Sequence, residues 1–182
     1  LKIIIKILIM NSITRNIAFL SLLILFGCTK DDFTWNVKKL PCVITFYNSS
    51  EDFFTQVSMA GMTNNTLGTG PNNFYKDKII KVKKGQAYDL LVNFQTTSPA
   101  VGVYAYFDWN GDGDFLDSDE STLVSSNINF TNMTKSITVP SNAVPGEYFA
   151  RFIVRAGSTI SSDPCFESDS YGEVEDYPLV IE

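Results

Sequence analysis

Alternating apolar and polar positions recur along the chain from residue 42 to its end. In residues 87–95 (AYDLLVNFQ), Tyr88, Leu90, Val92 and Phe94 alternate with other positions, as in a half-buried strand. No segment has the spacing of a long amphipathic helix. These patterns predict an all-β fold, an antiparallel β-sandwich of about seven to nine strands with an Ig-like or jelly-roll-like arrangement. The other predicted strands, separated by links rich in Gly, Asn, Ser and Pro, are residues 42–48, 53–60, 78–85, 101–109, 121–126, 135–140, 147–155 and 175–181.

The first 27 residues have a different pattern. Arg15 precedes ten consecutive residues, 17–26 (IAFLSLLILF), that are almost all apolar. This run is too short to span a bilayer. A basic residue followed by a short apolar run predicts a secretory signal peptide over residues 1–27, ahead of the sandwich. The alternative is an N-terminal transmembrane anchor.

The signal peptide is followed by a candidate lipidation site. Residues 25–28 (LFGC) resemble the lipobox of bacterial lipoproteins. The resemblance implies cleavage before Cys28, acylation of that residue and a lipid anchor in the membrane. Residues 29–32 (TKDD) resemble the acidic tether of some Gram-negative surface lipoproteins. We therefore expect an outer-membrane or cell-surface lipoprotein of a Gram-negative bacterium.

This organisation divides the chain into three parts. Residues 1–27 are the signal peptide that is removed, residues 28–41 are the lipidated Cys28 with its tether, and residues 42–182 are the predicted β-sandwich domain. The chain has three cysteines. If Cys28 carries lipid, Cys42 and Cys165 remain in an oxidising compartment, where a disulfide is expected. The alternative is two buried free thiols.

Charge and composition remove several functional classes. The chain holds 14 basic and 20 acidic residues, and three of the basic ones lie in the signal peptide. A domain with this excess of acidic residues cannot neutralise the phosphates of a nucleic acid. Nucleic-acid binding is therefore excluded. The chain has no histidine. Catalysis by Ser-His-Asp or Cys-His arrangements and His-ligated zinc are therefore excluded as well.

Residues 108–120 (DWNGDGDFLDSDE) contain six carboxylates and no basic residue. Their spacing matches most of the calcium-loop pattern D-x-[DN]-x-[DN]-G-x5-E. Gly113 occupies the position at which the loop doubles back on the ion. The closing position holds an aspartate, and a glutamate follows one residue late. The predicted metal ligands in this loop are Asp108, Asn110, Asp112, Asp114, Asp119 and Glu120.

Electrostatics favour a cation in this loop. Carboxylates a few ångströms apart repel one another by about 1 kcal/mol per pair even in bulk water. A hard cation with oxygen ligands cancels that repulsion, and Ca²⁺ tolerates a flexible loop better than Mg²⁺ does. The alternative is an Asx- and Gly-rich turn whose carboxylates are merely solvated.

The end of the chain resembles a known family. Residues 171–177 (YGEVEDY) are similar to the signature of the GEVED domain of exported bacterial proteins. The resemblance covers about residues 42–182 and implies a β-sandwich with a calcium-type loop and a closing disulfide, but no particular reaction. One departure is Pro178, which favours an edge strand. Supporting segments upstream are 75–77 (YKD), 103–115 (VYAYFDWNGDGDF) and 144–155 (VPGEYFARFIVR), with a cysteine before the first and another after the last.

Two interpretations of the GEVED carboxylates remain open at this point. In the first, Glu175 and Asp176 complete the metal shell from across the end of the sandwich. In the other, Glu173 and Glu175 pair with Arg151 and Arg155 on a neighbouring strand and fix its register.

We expect a non-catalytic binding or adhesion module for a glycan or a surface protein. Trp109, Phe74 and Tyr75 lie in predicted loops or at the end of a predicted strand, where aromatic side chains can contact such ligands. One alternative is a structural subunit of an outer-membrane assembly in which calcium only adds rigidity. A further alternative is a glycoside hydrolase that uses paired carboxylates.

Overall fold

The structure, a computed structural model, describes residues 40–44, 46–126, 131–156, 161–166 and 168–182. Its regular elements are all strands, which confirms the all-β prediction. Within these ranges, no helix has the length and apolar character needed to cross a bilayer. The strands are β1 (Phe46–Asn48), β2 (Phe53–Met59), β3 (Met62–Asn65), β4 (Asn72–Phe74), β5 (Ile80–Val82), β6 (Ala87–Gln95), β7 (Val101–Phe107), β8 (Ser121–Ser125), β9 (Asn132–Thr138), β10 (Gly146–Ala156) and β11 (Ser168–Ile181).

The strands form two sheets, consistent with the predicted sandwich. A four-stranded sheet has the order β3-β2-β6-β9, and all of its pairs are antiparallel. A seven-stranded sheet has the order β1-β11-β10-β7-β8, and β4 and β5 also pair with β11. The pairs β11-β10, β10-β7 and β7-β8 are antiparallel, whereas β1, β4 and β5 run parallel to β11. The sequence pattern missed β3 and β4 as well as the parallel pairs.

A hydrophobic core joins the two sheets. Along the strands of both sheets, side chains point alternately to the two faces of the sheet. The side chains of the inner faces fill the space between the sheets. The predicted alternation in β6 is confirmed, because Leu90, Val92 and Phe94 are buried. Members from the seven-stranded sheet include Val103, Phe107, Phe152, Val154, Tyr177 and Leu179.

The outer face of the seven-stranded sheet is also covered, by a second cluster. All seven residues of β7 are buried, since its outward side chains Tyr104 and Tyr106 contact the segment before β1 and the loop after β7. Ile44 and Phe115 supply those two coverings. A strand buried on both faces cannot show a simple alternation. The remaining members of this cluster are Phe46, Phe149, Ile153 and Val174.

Pro178 lies in β11, which is a central strand. The expectation of an edge strand is wrong, because β11 pairs with β10 on one side and with three short strands on the other. On that second side, β4 pairs with residues 174–176 and β5 pairs with residues 179–181. Pro178 falls in the gap between them, where no backbone donor is needed.

A disulfide joins Cys42 to Cys165, which confirms the predicted pairing. It ties the segment before β1 to the segment before β11, across 123 positions of sequence. The predicted signal peptide and the lipidation site Cys28 lie outside the described residues, so they stay predictions.

Candidate metal centre

The acidic loop connects two neighbouring strands of the larger sheet. It begins directly after β7 and ends directly before β8, and both of its ends are held by backbone hydrogen bonds. The amide of Phe107 donates to the carbonyl of Glu120 at 2.9 Å, and the amide of Asp108 donates to the carbonyl of Phe149 at 3.2 Å. The sheet therefore fixes the two ends of the loop, and the acidic residues determine the backbone conformation between them.

Inside the loop, side-chain oxygens accept hydrogen bonds from backbone amides two or three residues later. This is the local bonding that Asp and Asn favour in turns. The consequence is a coil that wraps around its own carboxylates. The bonds are Gly111 N to Asp108 Oδ1 (2.6 Å), Asp112 N to Asn110 Oδ1 (2.8 Å), Asp114 N to Asp112 Oδ1 (3.1 Å) and Leu116 N to Asp114 Oδ1 (2.8 Å).

Two glycines permit this coil. Gly111 has φ +77° and Gly113 has φ +94°, in the region that side chains with a Cβ rarely adopt. Gly111 also lies against the ring of Tyr148 on β10, where an added Cβ would be 2.3 Å from Cε1. No atom lies within 4 Å of an added Cβ at Gly113. Only the first glycine is thus required by packing as well as by backbone conformation.

Three carboxylates of the loop converge. Asp112, Asp114 and Glu120 each place an oxygen within 4.8 Å of the others. Asp112 is exposed, Asp114 is intermediate and Glu120 is buried, so the group lies at the surface with one buried member. An all-oxygen donor set with three negative charges fits a hard divalent cation, and it fits a soft metal poorly.

Glu120 closes this group, although the sequence pattern places Asp119 at the closing position. Glu120 is fully buried, and its Oε1 accepts a 2.9 Å hydrogen bond from the amide of Trp109. Burial raises the pKa of the Glu120 carboxyl to about 7, and the charge of Asp108 adds to the rise. The additional methylene of glutamate lets its carboxylate reach the other two from one residue further along the chain.

Asp119 lies outside the carboxylate group. Its side chain is exposed, while its backbone carbonyl accepts a hydrogen bond of 3.1 Å from Nε1 of Trp109. Trp109, expected to be available for ligands, is only 3% exposed. It stacks on Phe107 with 4.7 Å between ring centroids. The indole therefore anchors the loop to the core, and it turns the backbone at Asp119 inward and the side chain outward.

The first two predicted ligands shape the loop. Asp108 is 1% exposed and is not a member of the three-carboxylate group. Asn110 is exposed, and its Nδ2 donates to Asp112 Oδ2 at 2.8 Å and to Asp117 Oδ2 at 2.6 Å. Through these bonds the amide holds two like-charged carboxylates in place.

Asp176 belongs to a buried ion pair on the outer face of the larger sheet. Its Oδ1 accepts from Nε of Arg151 at 2.7 Å, and its Oδ2 accepts from Nη2 at 2.9 Å. Both side chains are 0% exposed. The same guanidinium donates to the carbonyls of Cys42 and Pro164 at 2.7 and 3.0 Å. Arg151 and Asp176 thus attach both ends of the disulfide region to the sheet.

Glu173 and Glu175 point to the other face of β11, into the core. Oxygens of Glu173 accept from the amide of Phe54 at 2.7 Å and from Nδ2 of Asn73 at 2.9 Å. Glu175 Oε2 accepts from the hydroxyl of Tyr177. Burial raises the pKa of Glu173 to about 8, assisted by the charge of Glu175, and it raises the pKa of Glu175 to about 7.

This geometry corrects both interpretations of the GEVED carboxylates. Glu175 and Asp176 are adjacent in one strand, so they point to opposite faces and cannot complete a single metal shell. Neither joins the carboxylates of the loop. The alternative pairing of Glu173 and Glu175 with arginines fails for the same reason, because the register sets Asp176 opposite Arg151. Arg155 lies opposite Gly172, and it donates to the carbonyls of Ser161 and Phe166 at 2.6 and 3.1 Å.

The fold and the site together define a disulfide-closed β-sandwich domain whose acidic loop brings three carboxylates together. Comparison with known families adds one match: the family model for the GEVED domain matches residues 102–180. That segment runs from β7 to β11 and contains both the acidic loop and the YGEVEDY motif. The match supports the GEVED domain family for this part of the chain. No curated protein and no solved structure matches it.

Proposed function

We propose that this chain is an exported, lipid-anchored protein of the outer membrane whose sandwich binds Ca²⁺ in the 108–120 loop. In this proposal it acts as a non-catalytic module that binds a glycan or a protein at the cell surface. The observation that carries the metal part is the convergence of Asp112, Asp114 and Glu120, with oxygens within 4.8 Å of one another.

Calcium suits this donor set better than magnesium. Ca²⁺ accepts six to eight oxygens in irregular geometry, whereas Mg²⁺ demands a near-ideal octahedron and retains several waters. The loop supplies its oxygens from an irregular segment between two strands, with donors that range from exposed to buried. Carboxylates in so small a volume also repel one another, and a divalent cation relieves that repulsion.

The environment of the strand carboxylates supports a binding module in preference to a glycosidase. Paired catalytic carboxylates must flank a substrate in a cleft. Glu173 and Glu175 are both 0% exposed, and Asp176 is buried against Arg151. Large apolar side chains that a partner could contact are present instead. Tyr47 and Phe74 are 75% and 44% exposed.

The metal part is tested by thermal unfolding of the purified protein in Ca²⁺ and in chelator. An ion that binds only the native state adds about 2.7 kcal/mol at 100 times its Kd, which raises the midpoint by several degrees. We expect Asp112→Ala to abolish this rise. Asp89→Ala, on the exposed side of β6, removes the same charge away from the loop and should retain it. An unchanged midpoint in the unmodified protein would contradict the calcium proposal.

The anchoring part is tested by fractionation. Cells that express the intact precursor should retain the protein in the membrane fraction, and protease added to whole cells should remove it. Cys28→Ser should move it to a soluble exported fraction, with the disulfide of Cys42 intact. Membrane retention of the Cys28→Ser variant would contradict lipid anchoring at this residue. A glycan array and a pull-down of surface proteins, both in Ca²⁺, then separate the two kinds of ligand.

A further inference from the structure

A second oxygen-rich cluster lies between the sheets, away from the acidic loop. Its charged members are Glu173 and Glu175, both 0% exposed. Among the residues that the structure describes, the ion pair found is Arg151–Asp176, which lies on the opposite face of β11. Two buried carboxylates are therefore without a basic partner. Buried charges in proteins are paired or coordinate metals, and otherwise they take up protons.

The hydrogen bonds of Glu173 favour its ionised form. Each of its oxygens accepts from an N–H group, one from the backbone of Phe54 and one from the side chain of Asn73. Two such bonds stabilise a carboxylate relative to a carboxylic acid. Burial opposes ionisation, so a nearby positive charge is what the site lacks.

Glu175 has an oxygen without a partner. Its Oε2 accepts from Tyr177, whose hydroxyl oxygen accepts in turn from Nδ2 of Asn64 at 3.0 Å. Its Oε1 is buried and has no hydrogen bond. A buried oxygen of a charged group that lacks a partner is destabilising unless a ligand satisfies it.

The hydroxyls beside Glu175 have acceptors other than this carboxylate. Thr66 and Tyr75 lie next to this carboxylate, but Thr66 Oγ1 donates to the carbonyl of Phe54 at 3.0 Å. Thr69 Oγ1 donates to Asn73 Oδ1 at 3.0 Å. Since a hydroxyl has one hydrogen, the 2.8 Å bond between Thr69 and Tyr75 must be donated by Tyr75. Hydrogen bonding to these two hydroxyls lowers the pKa of Glu175, but each hydroxyl also has another acceptor, so that its oxygen can turn a lone pair toward a cation.

We propose that these oxygens form a second cation site, in which Glu173, Glu175, Thr66 and Tyr75 bind one Ca²⁺ ion. A divalent cation balances the two carboxylates, and it gives Oε1 of Glu175 the partner that the protein does not supply. Carboxylate and hydroxyl oxygens are ligands that hard cations accept. This site is separate from the loop and stands or falls independently of it.

The test is the number of Ca²⁺ ions bound per chain, measured by equilibrium dialysis with the metal alone. The variants are Asp112→Ala, which removes one carboxylate of the loop, and Glu175→Gln, which keeps the side-chain size and removes one charge from the second site. We expect two ions in the unmodified protein, one in each single variant and none in the double variant.

The outcomes separate this inference from the calcium loop. One ion in the unmodified protein and none in Asp112→Ala would overturn the second site and leave the loop proposal standing. One ion that is retained in Asp112→Ala and lost in Glu175→Gln would overturn the loop proposal and leave the second site standing. No bound ion would overturn both, and protons would then neutralise the buried pair. If Glu175→Gln does not fold, the ion count in Asp112→Ala alone decides, because Asp112 is exposed and its substitution leaves the core unchanged.

Discussion

The acidic loop (residues 108–120) and the acidic segment that leads into β11 (residues 163–176) each contain six carboxylates and no basic residue. Their environments differ. In the loop, Asp112, Asp117 and Asp119 are exposed, and the carboxylates bond mainly to amides a few residues away. In β11, Glu173, Glu175 and Asp176 are fully buried. Glu173 and Asp176 bond to groups that are distant in sequence, whereas Glu175 bonds to Tyr177 in the same strand.

The comparison shows that the same residue types can shape a loop through local bonds or stabilise contacts between distant segments. The loop shapes itself from its own Asx bonds and glycines, so that four of its six carboxylates stay at least partly exposed, while Asp108 and Glu120 are buried. In β11 the strand period divides the carboxylates between two faces. Asp176 secures the disulfide region through Arg151, and the glutamates enter the core. Charge density alone therefore does not show whether a cluster of carboxylates lies at the surface or in the core.

The largest expected effect comes from breaking the ion pair of β11. Asp176→Ala leaves Arg151 buried without a counter-charge, which costs about 3–5 kcal/mol of unfolding free energy. Asp112→Ala in chelator removes an exposed carboxylate from the loop and should change stability by about 0.5 kcal/mol or less. Denaturant unfolding with the disulfide intact measures both. Equal losses in the two variants would contradict the contrast between loop and strand.

The pH dependence of stability sharpens the contrast. The folded pKa values of Glu173 and Glu175 are about 8 and about 7, above the ordinary 4.5. The folded protein therefore binds more protons than the unfolded chain in this window, so stability in chelator should fall as the pH rises from about 4.5 to about 8. The exposed carboxylates of the loop should add little to this slope.

Denaturant midpoints across this pH range measure the effect. The double substitution Glu173→Gln and Glu175→Gln should flatten most of the slope, and Glu120→Gln should remove a smaller part, because burial also raises the pKa of Glu120. A stability that rises with pH over the window, or a slope unchanged in the double variant, would contradict the uncompensated burial of the two glutamates.

A smaller effect is expected inside the loop. Gly111→Ala forces a Cβ against Tyr148 at a positive φ and should destabilise the fold by about 1–3 kcal/mol. Gly113→Ala has open space around the Cβ, so that only the backbone strain of about 1–2 kcal/mol remains. Thermal unfolding in chelator compares the two. A greater loss at Gly113 would show that Tyr148 moves aside and does not fix the loop.

Much of the fold could be predicted from the sequence, because the alternation in segments such as β6 and the turn residues between strands are local signals. The disulfide followed from counting cysteines. The short strands β3 and β4 were missed, since three or four residues carry too little periodicity. The central position of Pro178 was missed as well, because it depends on a gap between two parallel partners.

The candidate site was predictable to a lesser degree. The loop and its glycines follow from spacing alone, but the choice between Asp119 and Glu120 depends on how Trp109 packs into the core. The partner of Asp176 could be found only from the register of β10 and β11, which sets Arg151 opposite it. A parity rule along each strand would have separated Glu175 from Asp176, although it could not have named their contacts.

The most direct test of the loop as a metal centre compares the Ca²⁺ affinities of Glu120→Gln and Asp119→Asn. Titration calorimetry of both variants in the Glu175→Gln background reports on the loop alone. The structure predicts that Glu120→Gln weakens binding about tenfold or more, because a charged ligand is lost, whereas Asp119→Asn changes it by less than about threefold. Loss of binding in Asp119→Asn with binding retained in Glu120→Gln would contradict the centre formed by Asp112, Asp114 and Glu120.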